Sequence, residues 1–254
     1  MNNVKEYFEK NNIQYVLFDM DSTLVDTSTY YTKEMFCVIS TIVKMFLPNT
    51  LYNQNTEITQ EIRNISRDIH KANGIPLLVY DLTYQGVMKY LEIYNIKNIK
   101  REKIRNKIKE LFADFYNNSP MLFPETLSVL YNINMIHIPM YVYSHAQRDW
   151  TEIKVNRIRT EYEKMYSENL SLPFFTTDIT QTKDCNGWKK VADIFNLDIK
   201  NTLVVGDSLT SDILPAIQAG YVNLIYLSTK EDDIDKPKDI NLKVVGGIGD
   251  ILNL

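Results

Sequence analysis

Tyr15-Val16-Leu17-Phe18-Asp19-Met20-Asp21-Ser22-Thr23-Leu24-Val25-Asp26 places two carboxylates two residues apart at the end of a short apolar run, with a hydroxyl two residues further on. The apolar run reads as a strand, and a strand sends alternate side chains to the same face, so Asp19 and Asp21 are expected to leave the sheet edge on one side. That is an arrangement in which one carboxylate attacks an electrophile while its neighbour handles the proton. The same pattern also suits a plain strand-to-turn junction, where Asp and Ser supply turn hydrogen bonds. The rest of the chain has to decide between them.

Length and charge narrow the classes. A chain of 254 residues buries a substantial core and suits one domain with a large insertion, or two modest ones. The net charge of −4 is mild, and Lys and Arg are dispersed among acidic residues with no basic, aromatic-interleaved tract, so nucleic acid is not an expected partner. The opening MNNVKEYFEKNN carries acidic residues early and no apolar core segment, which reads as neither a secretory nor a mitochondrial leader and points to a cytoplasmic protein. The most apolar stretch, 36–47, falls short of the roughly 18 residues a membrane span needs and is interrupted by Lys44, so it reads as a buried helix and no membrane partner is expected. Cys37 and Cys185 make no C-x-x-C pair and are expected to pack.

Beyond residue 120 the chain alternates short β-rich runs with helical patterns, as a parallel α/β sheet requires. Strands are expected at 140–143, 174–176, 202–205 and 223–227, with an edge strand at 243–245. Helices are expected at 150–166, 187–195, 211–219 (ended by Gly220) and near Ile251. Between residues 27 and 119 the texture changes to helical periodicity, at 30–46, 58–71, 82–94 and 101–116. Asp26-Thr27-Ser28 at entry and Asn117-Asn118-Ser119-Pro120 at exit have linker and turn composition. The fold class is therefore α/β: a doubly wound, Rossmann-like parallel-sheet core formed by 1–26 and 120–254, with an inserted all-helical cap at 27–119 expected near the carboxyl edge of the sheet, where open parallel sheets bind ligands.

Three further features line up with the opening one. The strand Met140-Tyr141-Val142-Tyr143-Ser144 ends in a hydroxyl. Lys183 precedes a helix, with Lys189 and Lys190 as rivals. Thr202-Leu203-Val204-Val205-Gly206-Asp207-Ser208 runs a strand directly into Gly-Asp, and Asp212 opens the next helix, where a helix-capping role is the simplest alternative.

In order and spacing these four features resemble the motif series of the haloacid dehalogenase superfamily, with Asp19-Met20-Asp21-Ser22-Thr23 as the first motif, Ser144 the second, Lys183 the third and Gly206 to Asp212 the fourth. The insert lies where that family carries helical caps of its first type. The resemblance implies that Asp19 is a nucleophile forming an aspartyl-phosphate, and that Asp21 is the acid and base. It implies that Lys183 neutralises charge, and that the non-transferred oxygens are bound by Ser144, His145, Ala146 and the backbone amide of Met20. It further implies Mg²⁺ held by the Asp19 and Asp207 carboxylates and the Asp21 backbone carbonyl, with Thr23, Ser208 and Asp212 one layer out. Asp21's ordinary pKa, near 3.9, is low for an acid at neutral pH, so the charge of a bound phosphate is expected to raise it.

Asp21 also selects within the family. Its dehalogenases use no acid at that position and its phosphonate-cleaving branch places a small residue there, so phosphate-ester hydrolysis is expected, with sugar-phosphate mutase chemistry sharing every residue named. The Asp-Ser-Thr form of the first motif is similar to phosphoserine phosphatases. The fourth motif and the Leu24-Val25-Asp26-Thr27 continuation look closer to the phosphoglycolate-phosphatase and nucleotidase-like group, although Asp184 replaces the proline usual after the lysine there. A small phosphorylated metabolite is the expected partner. Within the cap, Arg63, Arg67, His70 and Lys71 with the loop 73–76 are candidate specificity residues, and a solvated basic face is the alternative.

Overall fold

The computed structural model describes residues 2–48, 54–73, 77–97, 99–229 and 239–254. The chain divides into two compact units, Met1–Thr27 with Ser119–Leu254, and Ser28–Asn118.

The first unit is built on a six-stranded, wholly parallel sheet: β1 (Tyr15–Phe18), β2 (Met140–His145), β3 (Phe174–Thr177), β4 (Thr202–Gly206), β5 (Asn223–Leu227) and β6 (Asn241–Val245), in the spatial order β3-β2-β1-β4-β5-β6. Parallel strands need crossovers long enough to return the chain to the starting edge, and helices α6 (Thr126–Met135), α7 (Arg148–Tyr166), α8 (Cys185–Phe195) and α9 (Leu214–Ala219) lie in those connections, with α1 (Asn2–Lys10) leading in. Strand side chains divide cleanly by parity. Val16, Phe18, Met140, Val142, Leu203, Val205 and Ile225 enter one apolar cluster with Val4, Phe8, Leu130 and Ile158. Leu17, Tyr143, Val204, Leu224 and Tyr226 enter the other, with Trp188, Val191, Ile213 and Ala216. Both faces are covered, which is why these strands read as unbroken apolar runs rather than alternating ones. Each fully buried Val, Leu, Ile or Phe is worth about 1.5–3 kcal/mol against exposure, so register is strongly specified.

Order β3-β2-β1-β4-β5-β6 reverses direction at β1: β2 and β3 lie to one side, β4 to β6 to the other. At such a switch point the loops after neighbouring strands diverge and leave a crevice at the carboxyl edge. Asp19 follows β1, Asp207 follows β4, and Ser144 and His145 end β2.

The second unit contains the remainder of α2 (Thr27–Phe46), α3 (Asn55–Asn73), α4 (Val79–Ile93), α5 (Arg101–Leu111) and a 3₁₀ turn at Phe115–Asn117. Its helices pack through Val38, Ile39, Ile42, Ile58, Ile62, Val87, Tyr90, Ile104 and Ile108. Gly86 on α4 takes the close approach to α3, since a Cβ there would lie 2.0 Å from Ser66 Oγ. Among the described residues no helix is long and apolar enough to cross a membrane.

The expected strands are present. The helix expected at 211–219 differs: residues Leu209–Ile213 form a π-helical turn, with Ile213 N donating to Ser208 O at 3.1 Å, and the regular helix begins only at Leu214. The extra residue in that turn re-aims Asp212, as π-bulges often do at functional sites. Helices α1 and α6 are not among the sequence expectations.

Candidate functional site

After β1 the backbone turns back sharply. Asp19 N donates to Val205 O at 2.8 Å, extending the ladder by one residue, and Ser22 takes a left-handed φ of 64°. Ser22 N then donates to Val25 O, closing a tight loop that carries Asp19, Asp21 and Thr23. Thr23 is fully buried and its Oγ1 donates to Asp207 Oδ1 at 3.4 Å, tying the loop after β1 to the loop after β4.

Lys183 is buried, and its Nζ donates to Asp19 Oδ1 and Asp212 Oδ1, each at 2.6 Å. The rings of Tyr143 and Trp188, with centroids 4.8 and 5.1 Å away, face the same ammonium. The rival lysines, Lys189 and Lys190, are exposed. Asp184 is the N-cap of α8, accepting from Asn186 N and Gly187 N at 3.0 Å each, so the residue that departs from the usual lysine-proline pair starts the helix by a side-chain cap instead.

Carboxylate oxygens of Asp19, Asp207 and Asp212 lie within 4.8 Å of one another. Asp212, expected one layer out or as a helix cap, therefore stands within the cluster itself, 1% exposed, and its Oδ2 accepts from Ser208 N at 3.0 Å. The capping role belongs to Ser208, whose Oγ accepts from Ser211 N at 3.2 Å. Two of the three carboxylates, Asp19 and Asp212, are paired with the one ammonium, and Asp207 is not, so negative charge is in surplus. Burial pushes the Asp19 carboxyl well up, Asp212 adds to this, and Lys183 only partly opposes it. Burial, with Asp212 beside it, pushes Asp207 up to about 7. Burial alone would lower Lys183, but Asp19 and Asp212 outweigh it and hold the ammonium charged. An all-oxygen donor set with surplus buried negative charge fits a hard divalent cation such as Mg²⁺.

Asp21 has different company. Its Oδ1 accepts from Lys154 Nζ at 2.5 Å and from Thr27 Oγ1 at 2.6 Å, and its Oδ2 accepts from Ser144 Oγ at 3.2 Å. Burial pushes this carboxyl up, but Lys154, Thr27 and Ser144 more than reverse that and hold it below the ordinary value. The direction is opposite to the elevation expected for the phosphate-bound site. Lys154, on α7, is fully buried and lies 3.6 Å from the Trp150 ring centroid. Burial lowers its own pKa, with Asp21 opposing.

Lys154 and Thr27 escape the motif reading. Lys154 sits in a helix rich in exposed charge, where one more lysine carries no signal of its own. Its spacing from Trp150, Thr151, Ile158 and Tyr162, all buried, is the sign that it lies on the inward face.

Of the remaining candidates, Met20 and Ala146 are buried beside Asp19 and His145 in sequence. His145 is half-buried and its Nε2 pairs with Gln181 O at 2.7 Å, tethering the loop that leads to Lys183. In the second unit Arg63 is half-buried, reaching Gln60 Oε1 and Thr32 Oγ1, while Arg67, His70 and Lys71 are exposed. Of the loop 73–76, residues 74–76 lie outside the described residues.

Comparison with known proteins agrees with this architecture. A search among curated proteins finds no match. Among solved structures, a haloacid dehalogenase-like family hydrolase from Xanthomonas campestris is 16% identical, with 94% of this chain and 92% of that one covered and a TM-score of 0.61. YfnB from Bacillus subtilis, solved bound to magnesium, is 12% identical over 95% and 97% of the two chains, TM-score 0.61. A predicted phosphoglycolate phosphatase from Haemophilus somnus is 15% identical over 95% and 97%, TM-score 0.54. Matching structures also include 2-haloacid dehalogenases. At these identities the likeness is one of fold. The family model for haloacid dehalogenase-like hydrolases matches residues 13–220, from just before β1 to the glycine that ends α9, and the chain belongs to that family of hydrolases.

Proposed function

We propose that this hydrolase is a Mg²⁺-dependent phosphatase that cleaves a small phosphorylated metabolite through an aspartyl-phosphate on Asp19. The observation that carries the choice of phosphate ester over carbon-halogen bond is Asp21. A second carboxylate, gripped by Lys154, Thr27 and Ser144, has no task in displacing halide, which leaves without a proton. An alkoxide leaving a phosphate ester needs one.

A carboxylate approaching a phosphate dianion is repelled by about 4 kcal/mol per unit-charge pair at 4 Å and an effective dielectric of 20. Lys183, fixed against Asp19, supplies one positive charge at the nucleophile. Mg²⁺ held by Asp19, Asp207 and Asp212, together with the Asp21 carbonyl, would supply the remaining charge compensation and orient the phosphate oxygens. Ser144 Oγ, which donates to Asp21 Oδ2, is placed to donate instead to a non-transferred oxygen alongside the amides of Met20 and Ala146. Asp19 then attacks phosphorus, and Asp21 gives its proton to the departing alkoxide. In the second half-reaction Asp21, ionised, takes a proton from water as that water attacks the aspartyl-phosphate. The lowered pKa that Lys154, Thr27 and Ser144 impose on Asp21 suits the base step. The dianion's charge beside it opposes Lys154 and suits the acid step.

The test is phosphate release from 4-nitrophenyl phosphate with Mg²⁺ and with EDTA, beside halide release from 2-chloropropionate. Metal-dependent phosphate release with no halide release is expected. Halide release without phosphate release would overturn the reading. A screen of sugar phosphates, nucleotides, phosphoglycolate and phosphoserine then ranks substrates, and an isomerised sugar phosphate as product would identify mutase chemistry instead.

A further inference from the structure

Lys154 is the fully buried ammonium in the Asp21 contact set, and it lies on a helix that carries none of the four motifs. Its position is over-determined. Nζ sits 2.5 Å from Asp21 Oδ1 and 3.6 Å from the Trp150 ring centroid, so the charge is compensated on one side by a carboxylate and on the other by an aromatic face. Thr27 Oγ1 donates to the same Oδ1 at 2.6 Å, while among the described residues Oδ2 accepts from Ser144 Oγ alone, at 3.2 Å.

A carboxylate oxygen offers two lone-pair sites. Two short donors, Lys154 and Thr27, fill those of Oδ1, and neither donor can be replaced there by an acidic proton without losing a charge-assisted bond. Oδ2 is the oxygen left to carry a proton, and it is the one beside Ser144 at the end of β2. The asymmetry also fixes rotation about the Cβ–Cγ bond, since turning the carboxylate over would exchange two short bonds for one long one.

We propose that Lys154 is a positioning residue for the proton-transfer steps: by anchoring Oδ1 of Asp21 it holds Oδ2 as the atom that gives the proton to the leaving oxygen and takes it back from water. The inference rests on the phosphatase reading above. In the first step the Asp19 carboxylate oxygen to phosphorus bond forms and the ester P–O bond breaks, with the proton of Asp21 Oδ2 passing to the leaving oxygen. In the second, water attacks phosphorus and returns its proton to Oδ2, and the Asp19–phosphorus bond breaks to release phosphate. Lys154 keeps its proton throughout and touches no substrate atom.

A residue that only supports the fold affects all substrates alike, whereas one that positions the acid matters most for leaving groups that need protonation. The test is therefore kcat and KM for a series of substituted phenyl phosphates, from the good leaving group 4-nitrophenol to the poor one 4-methylphenol, in the wild type, Lys154→Met, Lys154→Arg and Thr27→Val. Proton transfer by a positioned side chain is worth about 10²–10⁴-fold. Lys154→Met is expected to lose kcat by about 100-fold on 4-methylphenyl phosphate and by less than about 5-fold on 4-nitrophenyl phosphate, with KM little changed. Lys154→Arg should recover most of the shallow leaving-group dependence, and Thr27→Val should steepen it in part. Equal losses across the series, or no loss, would overturn the proposal while leaving the phosphatase reading intact. Wild type inert toward every member would instead sink that reading, and this inference with it. A measurement independent of turnover stands beside these: Lys154→Met should lower the denaturation midpoint far more in the wild-type background than in Asp21→Asn. Additive effects would mean that the pair does not couple, and would also overturn the proposal.

Discussion

Replacing Asp207 by Asn keeps the shape of the side chain, and its capacity to accept from Thr23 Oγ1, while removing one of the three clustered carboxylates. Burial and Asp212 raise Asp207 from 3.8 to about 7. A carboxyl whose folded value is raised binds its proton more tightly in the folded state. Its contribution is therefore fully present below the unfolded value and lost as pH rises through about 7. At 1.36 kcal/mol per pH unit the gap corresponds to about 4 kcal/mol, and solvent screening at a half-buried group reduces it to about 1–2 kcal/mol. In EDTA at pH 8, Asp207→Asn should therefore be more stable than wild type, by about 3–6 °C in midpoint for a chain of this size. At pH 5.5 Asp207 is protonated in the folded protein but still ionised in the unfolded chain, so about half of the advantage should remain, and it should vanish only as pH falls below the unfolded value of 3.8. Millimolar Mg²⁺ should raise the wild-type midpoint by linkage to the folded state and leave the variant nearly unmoved. Differential scanning fluorimetry over pH, with and without metal, reads all three. A variant less stable than wild type in EDTA at pH 8, or an advantage that is the same at both pH values, would refute the charge argument.

Lys183→Met should abolish turnover and destabilise the protein by about 3–5 kcal/mol, because it leaves Asp19 and Asp212 buried without their ammonium; denaturant unfolding at pH 8 checks it. Gly187→Ala would place a Cβ 2.1 Å from Tyr143 Oη, breaking its 2.7 Å contact with Thr177 Oγ1 behind Lys183, and should cost about 1–3 kcal/mol. Gly247→Ala meets nothing within 4 Å and should stay within about 0.5 kcal/mol, a control for the same chemical change. Asp19→Asn should fold and show no turnover with any phosphate ester, and substantial residual activity would move the nucleophile elsewhere.

What the sequence revealed and what it concealed follow from the reach of each interaction. Strands β1, β4 and β5 are legible because both faces are buried, so each is an unbroken apolar run bounded by polar turns. The helices of the second unit are legible because a helix with one buried stripe repeats at 3.6 residues, and α3 with Ile58, Ile62 and Ser66 inward is such a case. Asp19, Ser144, Lys183 and Asp207 could be aligned because each follows a strand end or precedes a helix at a fixed topological place. The contact of Asp212 with Lys183 is not legible, since nothing in Leu209–Ile213 announces that an i→i+5 turn will swing its carboxylate in beside that ammonium. Lys154 and Thr27 were invisible as partners of Asp21, being 133 and 6 residues from it, one inside a charged helix and the other in what reads as a linker. Helix α1 carries Val4, Tyr7 and Phe8 at helical spacing, but in a short polar stretch where only packing against the sheet gives the pattern meaning.

The central claim is that Asp19 carries a phosphoryl group during turnover. Rapid acid quench of the protein turning over 4-nitrophenyl phosphate with Mg²⁺, followed by mass spectrometry of the peptide that contains Asp19, tests it most directly. A phosphoryl mass on Asp19, absent from Asp19→Asn and accumulating in Asp21→Asn, is the predicted result. Turnover with no modification of Asp19 in any of the three proteins, or the same mass on a different residue, would contradict it.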